Sequence, residues 1–459
     1  MCFREFGIVP EGFIDNNRLL WGNSYEGIPI YAPDRLKKQE NDYIAVTCKD
    51  EETICRQLLE MGIEENKILY GNHKIRNYLF YCAARNDKPE DYIRLKRMTG
   101  SCPGVVFDLQ NGMVLGGVEA WTYELAGQLK KQGVGGVYLT TDNTLTGPVN
   151  KTYPAHIFRY TECTGQKEII ESGVSAIAEN LPCTVICNFP QYIFWSACIA
   201  KRRYPEQVRI IAVQHSDDET YYEAYGLWQE YIDCCLVISS FIEDKLITYG
   251  MEKNKIMPVG WHVSCDEILD RSWSKEELPI QIGYAGRVTV TLKRADLLLE
   301  AALKLREKGI RFCLNIAGTG DYMETLLERI REEELSGYVR LAGYIDRKEI
   351  PDFWKKQDIM ISCSEREGHS ISQAEAMAAG AVPVITDVSG ARDDVTDGYN
   401  GFVVPVNDLK VLVDRICVLY HNRGRTKQMG IYAHETIYKR QKAMNQKLFW
   451  EDLLRKVWL

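Results

Sequence analysis

Residues 364–380 read Ser-Glu-Arg-Glu-Gly-His-Ser-Ile-Ser-Gln-Ala-Glu-Ala-Met-Ala-Ala-Gly, and the rest of the chain is organised around them. An apolar run, 359–363, leads in, and a run of helix formers, 373–379, leads out, so the stretch reads as strand, loop, helix. Glu367 then lies in a loop at the mouth of a sheet and Glu375 in the opening turns of the helix, where one polar ligand could touch both.

The same alternation extends on both sides. Strand patterns at 281–284, 312–316, 339–341, 359–363 and 382–385 alternate with helical patterns at 295–308, 323–334, 348–356 and 372–379. Upstream, a strand at 105–109, a loop at 110–117, a helix at 118–131 and a strand at 136–140 begin a second such unit, with further strands near 184–187, 209–213 and 235–238. Strand-helix-strand order implies parallel sheets. Residues 1–100 form a smaller α/β piece with strands in 12–16, 42–48 and 67–70 and a helix at 51–61. The expected division is 1–100, 101–268, 269–430 and a helical segment 431–459 that packs back on the first large domain.

Composition limits the function. The 459 residues are 45% hydrophobic and 26% charged, as in ordinary globular proteins, and the net charge of −8 with no basic tail argues against nucleic acid. Fifteen cysteines follow no metal-ligand spacing and read as free thiols in a reducing compartment. The start lacks the apolar core of a signal peptide. Uncharged residues 180–200, followed by Lys201, Arg202 and Arg203, imitate a membrane span, but Asn188, Pro190 and Gln191 at the centre favour a strand, loop and helix.

Three loops at strand ends carry chemistry. One holds Gly286 and Arg287 with Lys293 and Arg294 beyond, one is Ala317-Gly-Thr-Gly320, and the third is the stretch quoted above. Arginine offers a planar fork and lysine a point charge, a combination suited to a diphosphate, and the amides of His369 to Ser372 at a helix start add donors.

With these motifs in order, and with Gly116-Gly-Val-Glu119 in the first large domain, the chain from about Val105 onward resembles the retaining GT-B glycosyltransferases of family four. The resemblance implies an α/β protein with two doubly wound Rossmann-like domains facing a cleft. Arg287 and Lys293 would hold the donor diphosphate, Glu375 the ribose hydroxyls and Glu367 the sugar hydroxyls. Gly368, His369, Ser370 and Ile371 would supply backbone donors, and Gly116 and Gly117 would let the opposite domain approach the diphosphate. His215 matches the active-site histidine, and His369 stands where the family varies, bearing on sugar choice. The donor is a nucleotide-sugar, with no cofactor and no metal expected. The acceptor is a saccharide, lipid-linked or polymeric, in cell-surface polysaccharide or glycoconjugate synthesis. The location implied is cytoplasmic, with contact at the inner membrane face left open.

Residues 12–16 and 27–31 resemble the later half of a Rossmann-like domain attached to sugar-modifying enzymes, without its phosphate loop, and read as a module for oligomer or partner docking. Two rivals stand beside the main reading. Gly368-His-Ser370 approaches the nucleophile elbow of a serine hydrolase, with Asp387 or Asp393 and His421 or His434 following. A GT-B accessory subunit without activity is the other. Tyr222, Tyr225, Trp228 and Tyr231 recur every third residue and read as a core face.

Overall fold

The computed structural model describes residues 9–38, 43–48, 50–86, 103–109, 112, 117–140, 152–157, 165–260, 263–443 and 446–458. Residues 87–98, a charged stretch with Pro89 that reads as a connecting helix or linker, and most of the loop at 110–117 lie outside them.

The N-terminal piece is two small sheets. Strands β1 (Phe13–Ile14), β2 (Ser24–Tyr25) and β3 (Ile28–Tyr31) form one, and β4 (Ile44–Ala45) pairs in parallel with the later β5 (Ile68–Leu69) in the other. Helix α1 (Glu51–Glu60) is capped by Asp50, which accepts from the Thr53 amide, and packs Leu58 against Leu36, Val46 and Ile68. Helix α2 (Gly71–Asn86) goes elsewhere. Its Phe80 and Ala84 belong to the core of the next domain, and Asn77 accepts from the indoles of Trp195 at 3.0 Å and Trp228 at 2.7 Å.

The first large domain is a seven-stranded parallel sheet. In chain order it runs β6 (Gly104–Leu109), α3 (Gly117–Lys131), β7 (Gly136–Thr140), β8 (Ala155–Ile157), α4 (Gln166–Ala178), β9 (Cys183–Cys187), α5 (Tyr192–Arg203), β10 (Val208–Gln214), α6 (Glu219–Leu227), β11 (Cys234–Val237), α7 (Ser240–Thr248) and β12 (Ile256–Pro258). Its strand order, β12-β11-β10-β9-β6-β7-β8, reverses direction between β6 and β9, the kind of switch point that opens a crevice at the carboxyl ends. Tyr222, Tyr225, Trp228 and Tyr231 are buried in its core. The uncharged run at 180–200 resolves into β9, a loop and α5. Lys201 is not a solvated charge: it bonds Asp233 at 2.6 Å, and Arg203 forks onto Glu171.

The second large domain is a six-stranded parallel sheet of order β15-β14-β13-β16-β17-β18. It comprises β13 (Ile280–Ala285), α8 (Asp296–Glu307), β14 (Phe312–Ala317), α9 (Met323–Glu332), β15 (Val339–Gly343), α10 (Ile350–Lys355), β16 (Ile359–Ser362), α11 (Ile371–Ala378), β17 (Val382–Thr386), α12 (Ala391–Asp394), β18 (Phe402–Val404) and α13 (Leu409–His421). The central strands β13 and β16 are neighbours, so the loops after both open into one crevice. Close approach there needs glycine: a Cβ on Gly318 would meet the Gly286 carbonyl oxygen at 1.8 Å, and one on Gly320 the Val288 oxygen at 2.1 Å.

Position 431 falls inside helix α14 (Arg423–Ala443), whose Ala433 and Ile437 pack on the second domain. The following helix α15 (Gln446–Trp458) returns to the first: Trp450 and Leu453 join its core, and the Trp458 indole donates to Thr184 at 2.8 Å. Among the described residues no helix is long and apolar enough to cross a membrane.

Candidate functional site

Two loops meet at the carboxyl ends of β13 and β16. After β13, Tyr284 donates its hydroxyl to the Arg287 carbonyl at 2.6 Å and fixes the turn, leaving the exposed Arg287 guanidinium without a side-chain hydrogen bond or ion pair among the described residues. Leu292 and Arg294 both adopt positive φ, 67° and 50°, so Lys293 is presented between two residues held in a strained backbone region. Its Nζ reaches Glu367 Oε1 at 2.5 Å, and the Ser364 hydroxyl donates to the same oxygen at 2.7 Å. Ser364 is itself fixed, its carbonyl accepting from the Thr386 hydroxyl at 2.6 Å. A second rivet, the Glu365 amide on the Leu292 carbonyl at 2.8 Å, ties the loops together.

Glu375 lies one turn into α11 and is partly buried. Burial pushes its carboxyl up to about 7, and the Arg347 guanidinium pulls the other way. Ser370 caps α11, its hydroxyl accepting from the Gln373 amide at 3.2 Å, while Ser372 donates to the Ala285 carbonyl at 2.5 Å. The amides of Ile371 and Ser372 sit in the first helical turn, where no intrahelical acceptor exists. Of the residues the hydrolase alternative would use, Ser370 is a cap, Asp387 pairs with Arg392 at 2.7 Å, Asp393 accepts from the Ser240 hydroxyl at 2.6 Å, and His434 bonds the Ala378 carbonyl at 2.6 Å.

The first large domain faces this crevice with α3 and the end of β10. Gly116 lies outside the described residues. Gly117 begins α3, and no described residue lies within 4 Å of where a Cβ would stand. Two residues on, Glu119 is buried; desolvation raises its carboxyl above the usual range, and the opposing charge of Arg287 reaches it across the cleft.

His215 follows β10 directly. Its ring meets Trp121 edge-on at 5.0 Å, and its Nε2 lies 2.8 Å from Asn188 Oδ1. Asn188 is oriented from the other side, its amide donating to the Asp108 carbonyl at 2.7 Å and to Thr122 at 2.9 Å. Its oxygen therefore points at His215, so Nε2 carries the proton and Nδ1 the lone pair. Burial pushes this imidazole down to about 3, and it is neutral at physiological pH.

His369 turns inward rather than toward the crevice. Its side chain is fully buried, with Nε2 3.0 Å from Asp394 and 3.2 Å from Arg440, so at the loop surface it can offer only its backbone. The supporting residues Ser364, Tyr284, Thr386 and Asn188 were given no role from sequence. Asn188 alone had a readable signal, a polar side chain in the middle of an uncharged run.

The chain is similar in sequence and in fold to known proteins. Residues 266–436 match the family described as glycosyl transferases group 1, and residues 5–69 match the family described as C2185-like, N-terminal. A poly(ribitol-phosphate) alpha-N-acetylglucosaminyltransferase of Staphylococcus aureus is 28% identical over 162 residues, which is 35% of this chain and 32% of that protein. The lipopolysaccharide core biosynthesis mannosyltransferase LpsB of Rhizobium meliloti is 25% identical over 196 residues, 40% of this chain and 52% of that protein. The chain thus spans about half or less of the length of these two curated relatives. Among solved structures, HepE of Anabaena in complex with UDP and glucose superposes with a TM-score of 0.62 at 15% identity, covering 76% of this chain and 98% of that one. S. aureus TarM in a complex containing UDP gives 0.62 at 14%, covering 77% and 99%. The fold is GT-B. Within it, residues 266–436 are the part that matches the glycosyl transferases group 1 family.

Proposed function

We propose that the protein transfers a glycosyl group from a nucleotide-sugar to a saccharide, lipid-linked or polymeric acceptor of the cell surface, with retention at the anomeric carbon. The observation that carries this is the Glu367 carboxylate held by Lys293 and Ser364, with Arg287 on the neighbouring loop lacking a side-chain partner among the described residues, at the carboxyl ends of two adjacent parallel strands.

In this reading Arg287 and Lys293 receive the donor diphosphate, and Lys293 then stands between phosphate and Glu367. As the bond from the anomeric carbon to the leaving oxygen breaks, charge grows on the diphosphate, and the two cations stabilise it more than they stabilise the ground state. The acceptor oxygen bonds to the same face of that carbon, and its proton passes to the leaving diphosphate. Glu367 accepts from sugar hydroxyls, and Glu375, once ionised, from the ribose. Neutral His215 presents a lone pair to a sugar hydroxyl without adding charge. The counter-charge comes from side chains, so the reading assigns no role to a metal. The acceptor class follows the relatives above, which are named for poly(ribitol-phosphate) and for lipopolysaccharide core biosynthesis.

The test is nucleotide release and thermal shift with UDP, GDP, ADP and dTDP sugars, on the parent chain and on Arg287→Ala. Release with one donor, lost with Arg287→Ala, is expected. Neither binding nor release with any donor would leave the protein as an accessory subunit.

A further inference from the structure

The inward histidine of the donor loop belongs to a buried cluster with no part in the chemistry above. The side chains of His369 and Asp394 have no solvent exposure, and Arg440, near the end of α14, bonds the Asp394 carboxylate while lying 3.2 Å from His369 Nε2. Asp394 is fixed from its backbone too, its carbonyl accepting from Asn400 at 2.9 Å, and the same Asn400 amide reaches Thr436 on α14 at 3.0 Å. Behind the loop the fit is close. The Ser389 hydroxyl donates to the Gly368 carbonyl at 3.1 Å, and a Cβ on Gly390 (φ 74°) would meet that oxygen at 2.8 Å and the His369 ring at 3.0 Å.

Burying an imidazole, a carboxylate and part of a guanidinium is costly unless each is matched, and a loop anchored this way has few alternative positions. His369 lies between Gly368 and Ser370, so an error in its ring position moves the amides on either side. We propose that Arg440 and Asp394 are positioning residues for glycosyl transfer: through His369 they hold the backbone of Gly368 to Ile371 in register with the donor's sugar and phosphate. The imidazole is then an anchor, not a reader of the sugar. This rests on the glycosyl-transfer reading and deepens it.

The test uses the full chain with Arg440→Ala, Arg440→Lys, Asp394→Asn and His369→Gln, and two readouts. In turnover with the preferred donor, Arg440→Ala lowers kcat by roughly 10²-fold, the scale of a small misplacement of binding groups. Nucleoside diphosphate affinity changes little, because Arg287, Lys293 and Glu375 are untouched. Arg440→Lys recovers part of the loss, and His369→Gln lowers kcat without altering the ranking of donor sugars. In hydrogen exchange, the amides of residues 368–371 exchange faster in Arg440→Ala. Unchanged kcat, a changed sugar ranking in His369→Gln, or unchanged exchange at the loop would each overturn the proposal. If Arg440→Ala does not fold, the Lys and Asn variants carry the same comparisons. Should the parent chain turn over no donor, the glycosyl-transfer reading fails, while the exchange readout still decides whether the anchor exists.

Discussion

The carbonyl oxygen of His215 occupies the space beside Gly368: a Cβ on that glycine would come within 2.0 Å of it and within 2.7 Å of Ile238 Cδ1. The two domains of the GT-B fold therefore touch, backbone to backbone, at the residue that starts the donor loop. His215 also aims its ring from the same point, so the approach sets the histidine and the loop amides relative to each other.

Gly368→Ala tests that contact. Backbone cannot move aside as a side-chain tip can, so the methyl group separates the loop from β10. Overpacking of this kind costs about 1–3 kcal/mol. Transfer falls by roughly 10²-fold, the scale of a small misplacement at a reacting centre. Nucleoside diphosphate binding, measured by calorimetry, is retained. Full transfer activity in Gly368→Ala would show that the close approach is not used.

The Lys293 and Glu367 pair makes a sharper case. Both are largely buried, at 20% and 12% side-chain exposure, so removing one partner leaves a poorly solvated charge. Lys293→Ala loses roughly 10²- to 10³-fold in kcat/KM, the scale for deleting one preorganised group facing transition-state charge. Glu367→Gln keeps the Ser364 hydrogen bond and leaves Lys293 to the phosphate, so donor KM rises far less than kcat falls. Equal effects of the two substitutions on KM and kcat would contradict separate roles.

Glu375 and His215 make stability depend on pH in opposite senses. The Glu375 carboxyl is raised from 4.5 to about 7, so the folded state holds the extra proton between those values; its contribution is full below 4.5 and is lost as pH rises through 7. His215 is lowered from 6.5 to about 3, so its contribution is present above 6.5 and is lost as pH falls toward 3. In the parent chain the two trends partly cancel. Glu375→Gln removes the first, and its melting temperature relative to the parent climbs between pH 5 and 8. Donor affinity of the parent rises through about pH 7 as the carboxylate forms, and this rise disappears in Glu375→Gln. A melting-temperature difference that is flat with pH would show that Glu375 ionises normally.

How much of this was legible depends on how local each cause is. The strand, loop and helix around Glu367 and Glu375 are set by neighbouring residues, and the run of alanines after Ser372 marks a closely packed helix. Parallel sheets follow from the alternation of elements and the GT-B expectation from the ordered motifs that carry the family resemblance, but strand order follows from neither, because it depends on which crossovers pack best. The direction of His369 was not readable: its partners Asp394 and Arg440 lie 25 and 71 residues away. Short strands such as β8, β12 and β18 carry too few residues for a period to register. Helix α2 carries no readable helical period, because residues 78–84 are one unbroken apolar run and residues 71–77 are mostly polar, and its buried face is completed by indole donors from α5 and the end of α6.

Those indoles define the last prediction. Asn77 is 4% exposed and its single oxygen accepts from both Trp195 and Trp228, while Lys74 pairs with Glu223 at 2.6 Å and the Tyr81 hydroxyl donates to Glu230 at 2.9 Å. Asn77→Leu keeps the volume but strands two buried N–H groups, each costing about 1–3 kcal/mol. Asn77→Asp keeps an acceptor and costs less. The Leu variant therefore melts well below the Asp variant in a thermal unfolding experiment. By the same packing, a chain beginning at Gly71 retains the folded first large domain, whereas one beginning at Pro103 exposes Trp195 and the surface vacated by Phe80, and aggregates. If the shorter chain is as monodisperse and stable as the longer one, α2 belongs to the N-terminal module and not to the acceptor-side core.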